Sequence, residues 1–184
     1  MKSVLMCAGI ACFATVASAG GFFSEVEDNN TLAMANDIGV FGAPGGSAAI
    51  DGVLSQGDVD WFTFTLDDTA SLSFFAAFSA GDGDGIMQLV DAGGDVIAFD
   101  DDSGVGLMPA IQVESLAAGS YFIGLSGFGD VDSSSVDTDE LADGLGHSEN
   151  FSYKLTAGFS IVPAPGALAL FGAGGVMMVR RRRS

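Results

Sequence analysis

The chain has 184 residues, and 48% of them are apolar, including 15 phenylalanines, so it has enough apolar surface to fill the core of one folded domain. Its charge is one-sided, because segment 20–162 contains a single basic residue, Lys154, against all 24 acidic residues, a net charge of −23. Such a surface repels nucleic acids and anionic lipid headgroups and attracts cations, which argues against any function in nucleic-acid binding.

Residues 1–19 have the three parts of a secretory signal peptide. Lys2 provides the positive start, residues 4–16 form the apolar middle, and residues 17–19 (Ala-Ser-Ala) fit the small-residue rule for cleavage before Gly20. The sequence therefore predicts an exported protein that signal peptidase processes.

Both cysteines, Cys7 and Cys12, lie inside this segment. The exported part then contains no thiol and no disulfide, so its stability has to come from packing, hydrogen bonds or bound metal. A lipoprotein signal with Cys12 as the lipidated residue is the alternative, although the preceding Gly-Ile-Ala matches a lipobox poorly.

Oxygen-bearing side chains are concentrated in segment 24–31, just after the predicted cleavage site. In an extended backbone Glu25 and Glu27 point to the same side. Carboxylate and amide oxygens two residues apart are ligands that a hard cation such as calcium prefers. The segment suits a calcium site, and a solvated acidic arm is an equal alternative.

Apolar segments of strand length follow, separated by Gly, Asp and Ser. Their spacing predicts eight or nine strands and an all-β sandwich. The clearest segments are 62–66 and 72–78, which we expect to pair as a hairpin, 86–90 and 96–99 around a tight turn, 111–113, 121–125, and a closing strand at 151–159.

Segment 127–150 predicts a long acidic loop. It contains the only histidine, His147, which we expect to be a surface residue whose replacement by alanine changes no measurable property. Residues 124–128 (Gly-Leu-Ser-Gly-Phe) lack the last Gly of a nucleophile elbow, so we expect no enzymatic activity. We expect Trp61 and Tyr121 to complete the core, with a sugar-stacking platform as the alternative.

The C-terminal segment 162–184 contains a Pro-rich motif, an apolar stretch at 167–179 and a basic end. This order resembles the PEP-CTERM sorting signal, in which a V-P-x-P-type motif precedes a hydrophobic transmembrane helix and basic residues. The resemblance implies cleavage by an exosortase, a transient anchor in the inner membrane, and delivery to the cell surface or extracellular matrix. The matching residues are Val162, Pro163, Pro165, Arg180, Arg181, Arg182 and Arg183, with Ala164 in place of the usual Glu.

Segment 20–161 resembles bacterial pre-peptidase C-terminal domains, through motifs in the same order: 25–29 (EVEDN), 57–62 (GDVDWF), 89–94 (LVDAGG), 100–102 (DDD) and 116–122 (LAAGSYF). The resemblance implies a single jelly-roll-like antiparallel β-sandwich, flanked by the signal peptide and the C-terminal hydrophobic helix. It also implies a calcium site that joins the N-terminal arm to the Trp61 strand, with the ligands Glu25, Glu27, Asn29, Asp58 and Asp60.

These features together predict an exported surface or matrix protein with a structural or adhesive role and a calcium-stabilised sandwich. Its partners would be extracellular polysaccharide or matrix proteins. The alternative is a carbohydrate- or protein-binding module that acts with a secreted hydrolase.

Overall fold

The computed structural model of this chain describes residues 21–80, 83–131 and 140–162. Within these residues ten strands form two five-stranded sheets, with a 3₁₀ turn at Leu32–Met34. The strands are β1 (Gly21–Ser24), β2 (Asn36–Phe41), β3 (Gly46–Leu54), β4 (Val59–Leu66), β5 (Ala70–Ala80), β6 (Gly85–Asp91), β7 (Val96–Asp100), β8 (Ala110–Leu116), β9 (Gly119–Gly127) and β10 (Phe151–Ile161). Sheet A has the order β1-β3-β10-β5-β8, and sheet B has the order β2-β4-β9-β6-β7.

The chain changes sheet after each of its first five strands, and this sets the direction of the edge strands. Two successive crossings reverse the chain twice, so β1 runs parallel to β3 and β2 runs parallel to β4. The other neighbours within the sheets pair antiparallel. The prediction of an all-β sandwich is confirmed, but the prediction of purely antiparallel pairing is wrong at these two edges.

Of the two predicted hairpins, only one forms. Segments 62–66 and 72–78 do not pair, because β4 lies in sheet B and β5 lies in sheet A. β6 and β7 do pair, around a turn in which the Asp91 carboxylate accepts hydrogen bonds from the N–H groups of Gly93 (2.7 Å) and Asp95 (3.1 Å). Those local hydrogen bonds close the turn and keep both strands in one sheet.

The main core lies between the inner faces of the two sheets and is built from their alternating apolar residues. Phe41 of sheet B stacks on Phe159 of sheet A with ring centroids 4.3 Å apart, and Phe64 of sheet B meets Phe74 of sheet A at 5.5 Å. Ring pairs at these distances add to the free energy of apolar burial. These contacts join the sheets into a sandwich, and alternate residues of each strand therefore face outward.

The outer face of sheet B is covered by a second apolar cluster. Trp61 on β4 and Ile86 on β6 pack there against Val131 and Ala142, which belong to the connection between β9 and β10. The Trp61 indole N–H donates to the Ala142 carbonyl oxygen at 3.3 Å. Residues of β4, β6 and β9 are therefore buried in long runs, whereas in β3 and β10 of sheet A buried residues alternate with half-buried or exposed ones.

This covering segment is the predicted acidic loop, and polar contacts also hold it in place. The buried Gln88 side chain donates to the Glu140 carbonyl oxygen at 2.8 Å and accepts the Ala142 N–H at 2.9 Å. The described parts of the loop, 128–131 and 140–150, thus form a packed cover on sheet B, which we call the cover.

Trp61 and Tyr121 are core residues, as the sequence predicts. Their exposed fractions are 1% and 8%, and the Tyr121 hydroxyl donates to the Ala117 carbonyl oxygen at 2.9 Å. Rings buried to this extent present no open face, so the alternative of a sugar-stacking platform at these two residues is wrong.

Two predicted segments lie outside the described residues: the signal peptide at 1–19, and the sorting signal after Val162, with its prolines, hydrophobic helix and arginines. Across the described ranges 21–80, 83–131 and 140–162, we find no helix with the length and hydropathy needed to cross a membrane.

Candidate metal centre

The sheet crossings concentrate acidic residues at one end of the sandwich. The connections β1–β2, β3–β4, β5–β6, β7–β8 and β9–β10 all lie at this end, which we call the acidic end, whereas β1 begins and β10 ends at the opposite end. The described acids in these connections are Glu25, Glu27, Asp28, Asp58, Asp84, Asp101, Asp102, Asp130, Glu140, Asp143 and Glu149.

Residues 25–29 form an arm that crosses from sheet A to sheet B over the acidic end. On the side of sheet A, the Glu25 N–H donates to the Asp51 carbonyl oxygen at 3.0 Å and so extends the pairing of β1 with β3. On the side of sheet B, the Asn29 carbonyl oxygen accepts the Trp61 N–H at 3.1 Å. The arm is therefore fixed to both sheets by its backbone.

Four carboxylates meet where the arm passes the start of β4. Glu25, Glu27, Asp58 and Asp60 each present an oxygen, and these oxygens all lie within 4.8 Å of one another. The exposed fractions of Asp58 and Asp60 are only 6% and 0%. The fold thus joins two acidic pairs that are far apart in the sequence into one carboxylate cluster.

Neighbouring groups orient two of these carboxylates. The Glu25 carboxylate accepts the Val53 N–H at 2.7 Å, and the Tyr153 hydroxyl donates to Asp60 at 2.8 Å. Gly52 provides the space, because a Cβ at this position would overlap the Tyr153 ring and lie 2.6 Å from a Glu25 carboxylate oxygen. The cluster is therefore built into the sheet and is more than a group of solvated acids.

Asn29 is fully buried, and its side-chain amide faces the same cluster. The inward amide atom lies 3.2 Å from an Asp60 oxygen and 3.3 Å from a Glu27 oxygen. With its nitrogen turned inward the amide donates to both carboxylates. With its oxygen turned inward it adds a further acceptor to the cluster, which is favourable only around a cation.

Burial and crowding raise the pKa values of the cluster. Burial, followed by the nearby charge of Glu25, raises the pKa of Asp60 to about 9. Burial, followed by a hydrogen bond with Glu25, raises the pKa of Glu27 to about 7. Burial also raises the pKa of Asp58, although its hydrogen bond with the Ser55 N–H acts in the opposite direction. Without a cation the cluster therefore keeps protons at neutral pH, and a bound cation would displace them.

The donor set fits calcium. Calcium takes six to eight oxygen ligands at about 2.3–2.6 Å, so ligands on opposite sides of the ion are about 4.6–5.2 Å apart. Carboxylate oxygens within 4.8 Å of one another match that sphere. Softer metals such as zinc and copper prefer thiolate and imidazole ligands. Four carboxylates and the Asn29 amide would hold the ion and leave positions for water.

His147 is buried at the edge of the cluster, with an exposed fraction of 5%, so the prediction of a surface residue is wrong. Its Nδ1 accepts the Glu149 N–H at 3.2 Å, so the proton is on Nε2, which donates to the Asp58 carbonyl oxygen at 2.8 Å. The imidazole thus ties the cover to the backbone of a cluster residue. A lone histidine in a polar segment carries no sequence signal for such a contact.

The structure brings all five predicted calcium ligands to one place. It also assigns supporting roles that the sequence did not indicate to Gly52, Tyr153 and His147. Of the predicted sorting motif only Val162 is described, and its N–H donates to the Thr69 carbonyl oxygen at 2.8 Å.

Comparison with known proteins gives structural likeness only. No protein-family model matches the chain, and no curated protein matches it. The chain is similar to the pre-peptidase C-terminal domain of a collagenase from Bacillus anthracis, at 17% identity and a TM-score of 0.45, over 67% of this chain and 93% of that domain. It is also similar to PliG, a periplasmic inhibitor of g-type lysozyme from Aeromonas hydrophila, at 14% identity and a TM-score of 0.41, over 77% of this chain and 100% of that one. A third similar structure is the Yersinia pseudotuberculosis-derived mitogen, at 13% identity and a TM-score of 0.41, over 64% of this chain and 87% of that one.

Proposed function

We propose that this chain is an exported cell-surface or extracellular-matrix protein whose β-sandwich binds calcium and has a structural or adhesive role. The observation that carries the proposal is the carboxylate cluster together with the buried Asn29 amide that faces it. A cation there would contact Glu25 at the edge of sheet A and Asp60 in sheet B, so it would tie the two sheets together. Extracellular polysaccharide and matrix proteins are the partners that this role implies.

The cation supplies positive charge where the fold concentrates negative charge. A domain of this net charge repels itself, and that repulsion opposes folding. A cation that binds only the folded state, at 100 times its dissociation constant, stabilises that state by about 2.7 kcal/mol. For a chain of this size we expect the melting temperature to rise by roughly 5–10 °C.

Thermal unfolding of the purified chain in calcium and in EDTA, at matched ionic strength, tests the proposal. We expect calcium to raise the melting temperature of the wild type and to have little effect on the double variant Glu25→Ala, Glu27→Ala. The matched control is Asp67→Ala with Asp68→Ala, which removes the same charge from exposed residues at the opposite end. Equal wild-type melting temperatures in both buffers would overturn calcium binding.

The proposed export route rests on the sequence and has its own test. Signal peptidase would cut before Gly20, and an exosortase would remove the tail near residues 162–165. Mass spectrometry of the surface-attached and secreted protein should find both new termini. Retention of Arg180–Arg183 on most of that protein would contradict sorting and leave the calcium proposal intact.

We also propose that the domain has no catalytic activity. Both ring nitrogens of His147 are hydrogen-bonded to backbone groups, so its role in the fold is structural. A hydrolytic activity that disappeared in His147→Ala, while the variant stayed folded, would contradict this proposal.

A further inference from the structure

No other part of the chain that the structure describes covers the outer face of sheet A, unlike that of sheet B. One row of outward residues crosses all five strands: Phe22, Ala49, Thr156, Phe75 and Ala110. The two rings are 87% and 42% exposed, and between them lie only Ala49 and Thr156. The neighbouring row on one side is also built from small or uncharged residues: Ser47, Gly158, Ser73 and Gln112.

Few charges lie on this face, although the domain as a whole is strongly acidic: the described strands present Lys154, Asp51 and, at the β8 edge, Glu114. Lys154, the only basic residue among those described, forms an ion pair with Asp51 on the neighbouring strand. Two hydroxyl groups of the face are already bonded inside the sheet. Thr156 donates to the Phe75 carbonyl oxygen at 3.2 Å, and Ser71 donates to the Ser160 carbonyl oxygen at 3.4 Å. Covering such a face with protein leaves few polar groups unpaired.

We propose that this face binds the same face of a second copy of the chain. Charge selects the surface, because two copies repel each other wherever their acidic ends approach. The outer face of sheet A presents one ion pair and a single further acid, Glu114, at its edge instead. Area supports the same partner. Strands of 4 to 11 residues, at about 3.3 Å per residue and about 4.8 Å between strands, give a sheet of roughly 650 Å². A stable interface typically buries about 800 Å² per partner, an area of the same order.

Charge also selects the orientation of the pair. If the strands of both copies ran in the same direction, the two acidic ends would lie side by side. A two-fold axis along the row from Phe22 to Ala110 reverses the strands and moves the acidic ends to opposite ends of the dimer. Lys154 and Gly158 lie two residues on either side of Thr156, so this axis places Lys154 of each copy opposite Gly158 of the other. A side chain at Gly158 would meet nothing within 4 Å, so the Lys154 stem has space there.

Sedimentation velocity of the full chain over a range of concentrations tests the dimer, in a neutral detergent that covers the apolar flanking segments. We expect the wild type to form a reversible dimer. Phe75→Ser removes a central ring, and Gly158→Arg places a cation opposite the partner's Lys154. Each change should weaken association roughly tenfold or more, as for residues at the centre of an interface.

Two control variants make the same kinds of substitution at positions outside this face. Phe128→Ser removes a ring with a similar exposed fraction, 45%, and Ala92→Arg adds the same charge in the exposed β6–β7 turn. Both should dimerise like the wild type. A wild type that stays monomeric would overturn the proposal. This outcome would also be expected if the face bound a glycan and not a second copy of the chain. A dimer equally stable in all four variants would place the contact elsewhere on the chain and would also overturn it.

Discussion

The outer faces of the two sheets differ in how they are protected from solvent. On sheet B, Trp61 and Ile86 are covered by the segment between β9 and β10, so the three central strands β4, β6 and β9 are buried on both sides. On sheet A the corresponding positions carry small residues, hydroxyl groups and two exposed rings. The outer face of sheet B is thus covered by a segment of the same chain, whereas the outer face of sheet A contacts solvent or a partner. Substitutions on the two faces should therefore differ in their cost to stability.

The largest change in stability should come from a change of pH, because the buried Asp60 carboxyl of sheet B lies in the carboxylate cluster beside the arm. In EDTA the folded state holds a proton on Asp60, whose pKa is raised to about 9, after the unfolded state has lost it. Because the folded state then binds more protons, its stability falls as pH rises, by roughly 1.4 kcal/mol per pH unit for one retained proton. We expect urea unfolding to show several kcal/mol of loss between about pH 5 and about pH 8.

Calcium should reverse this trend, because the ion needs deprotonated carboxylates and binds better as pH rises. Asp60→Asn provides the control, since it cannot titrate and should flatten the dependence in EDTA. A wild type equally stable at both pH values in EDTA would contradict the assignment of a retained proton to Asp60.

The next largest effect is the difference in stability lost when one aromatic ring is removed from each outer face. Trp61→Ala removes a fully buried indole and leaves the Ala142 carbonyl unpaired, so the free energy of unfolding should fall by about 3–5 kcal/mol. Phe75→Ala removes a half-exposed ring and should cost less than about 1 kcal/mol in dilute protein. Urea unfolding of both variants checks the difference. Equal losses would mean that the cover does not exclude water from Trp61.

His147→Ala tests whether the cover is fixed at its far end. The change leaves the Glu149 N–H and the Asp58 carbonyl without their buried partner, so we expect a loss of about 2–3 kcal/mol in urea unfolding. Ser148→Ala, at an exposed neighbouring position, should have little effect. A His147→Ala variant as stable as the wild type would contradict a stabilising role for these two hydrogen bonds.

The smallest effect uses two strand glycines. A Cβ at Gly124 would lie 2.7 Å from the Trp61 ring, so Gly124→Ala should cost about 1–2 kcal/mol through overpacking. A Cβ at Gly158 meets nothing within 4 Å, so Gly158→Ala should be neutral or stabilise by up to about 1 kcal/mol. Melting temperatures measured side by side would decide. A destabilised Gly158→Ala would mean that the face of sheet A is not open in the monomer.

The sequence predicts the strands of sheet A better than it predicts how sheet B is covered. Alternation along residues 151–159 and 72–76 reports one buried and one exposed face, and the fold has both. A cover made of short apolar residues among acids, such as Val131 and Ala142, has no period to detect. A crossing between sheets has no period either, so the pattern of segments 62–66 and 72–78 predicts a hairpin where β4 and β5 lie in different sheets.

The candidate site was partly predictable, because carboxylates two residues apart mark a possible ligand pair in any extended segment. That Glu25 and Asp60 face one another depends on the parallel edge strand β1 and on the missing side chain of Gly52. Tyr153 follows the core alternation of β10, and the partner of its hydroxyl is set only by tertiary structure.

Both flanks of the domain leave from the end opposite the acidic end, since β1 starts there and β10 finishes there. A strand of 11 residues spans about 35 Å. That distance is several times the Debye length of about 8–10 Å at physiological ionic strength. A protein held at a lipid surface through either flank would therefore carry the carboxylates of the acidic end beyond the range at which anionic headgroups repel them.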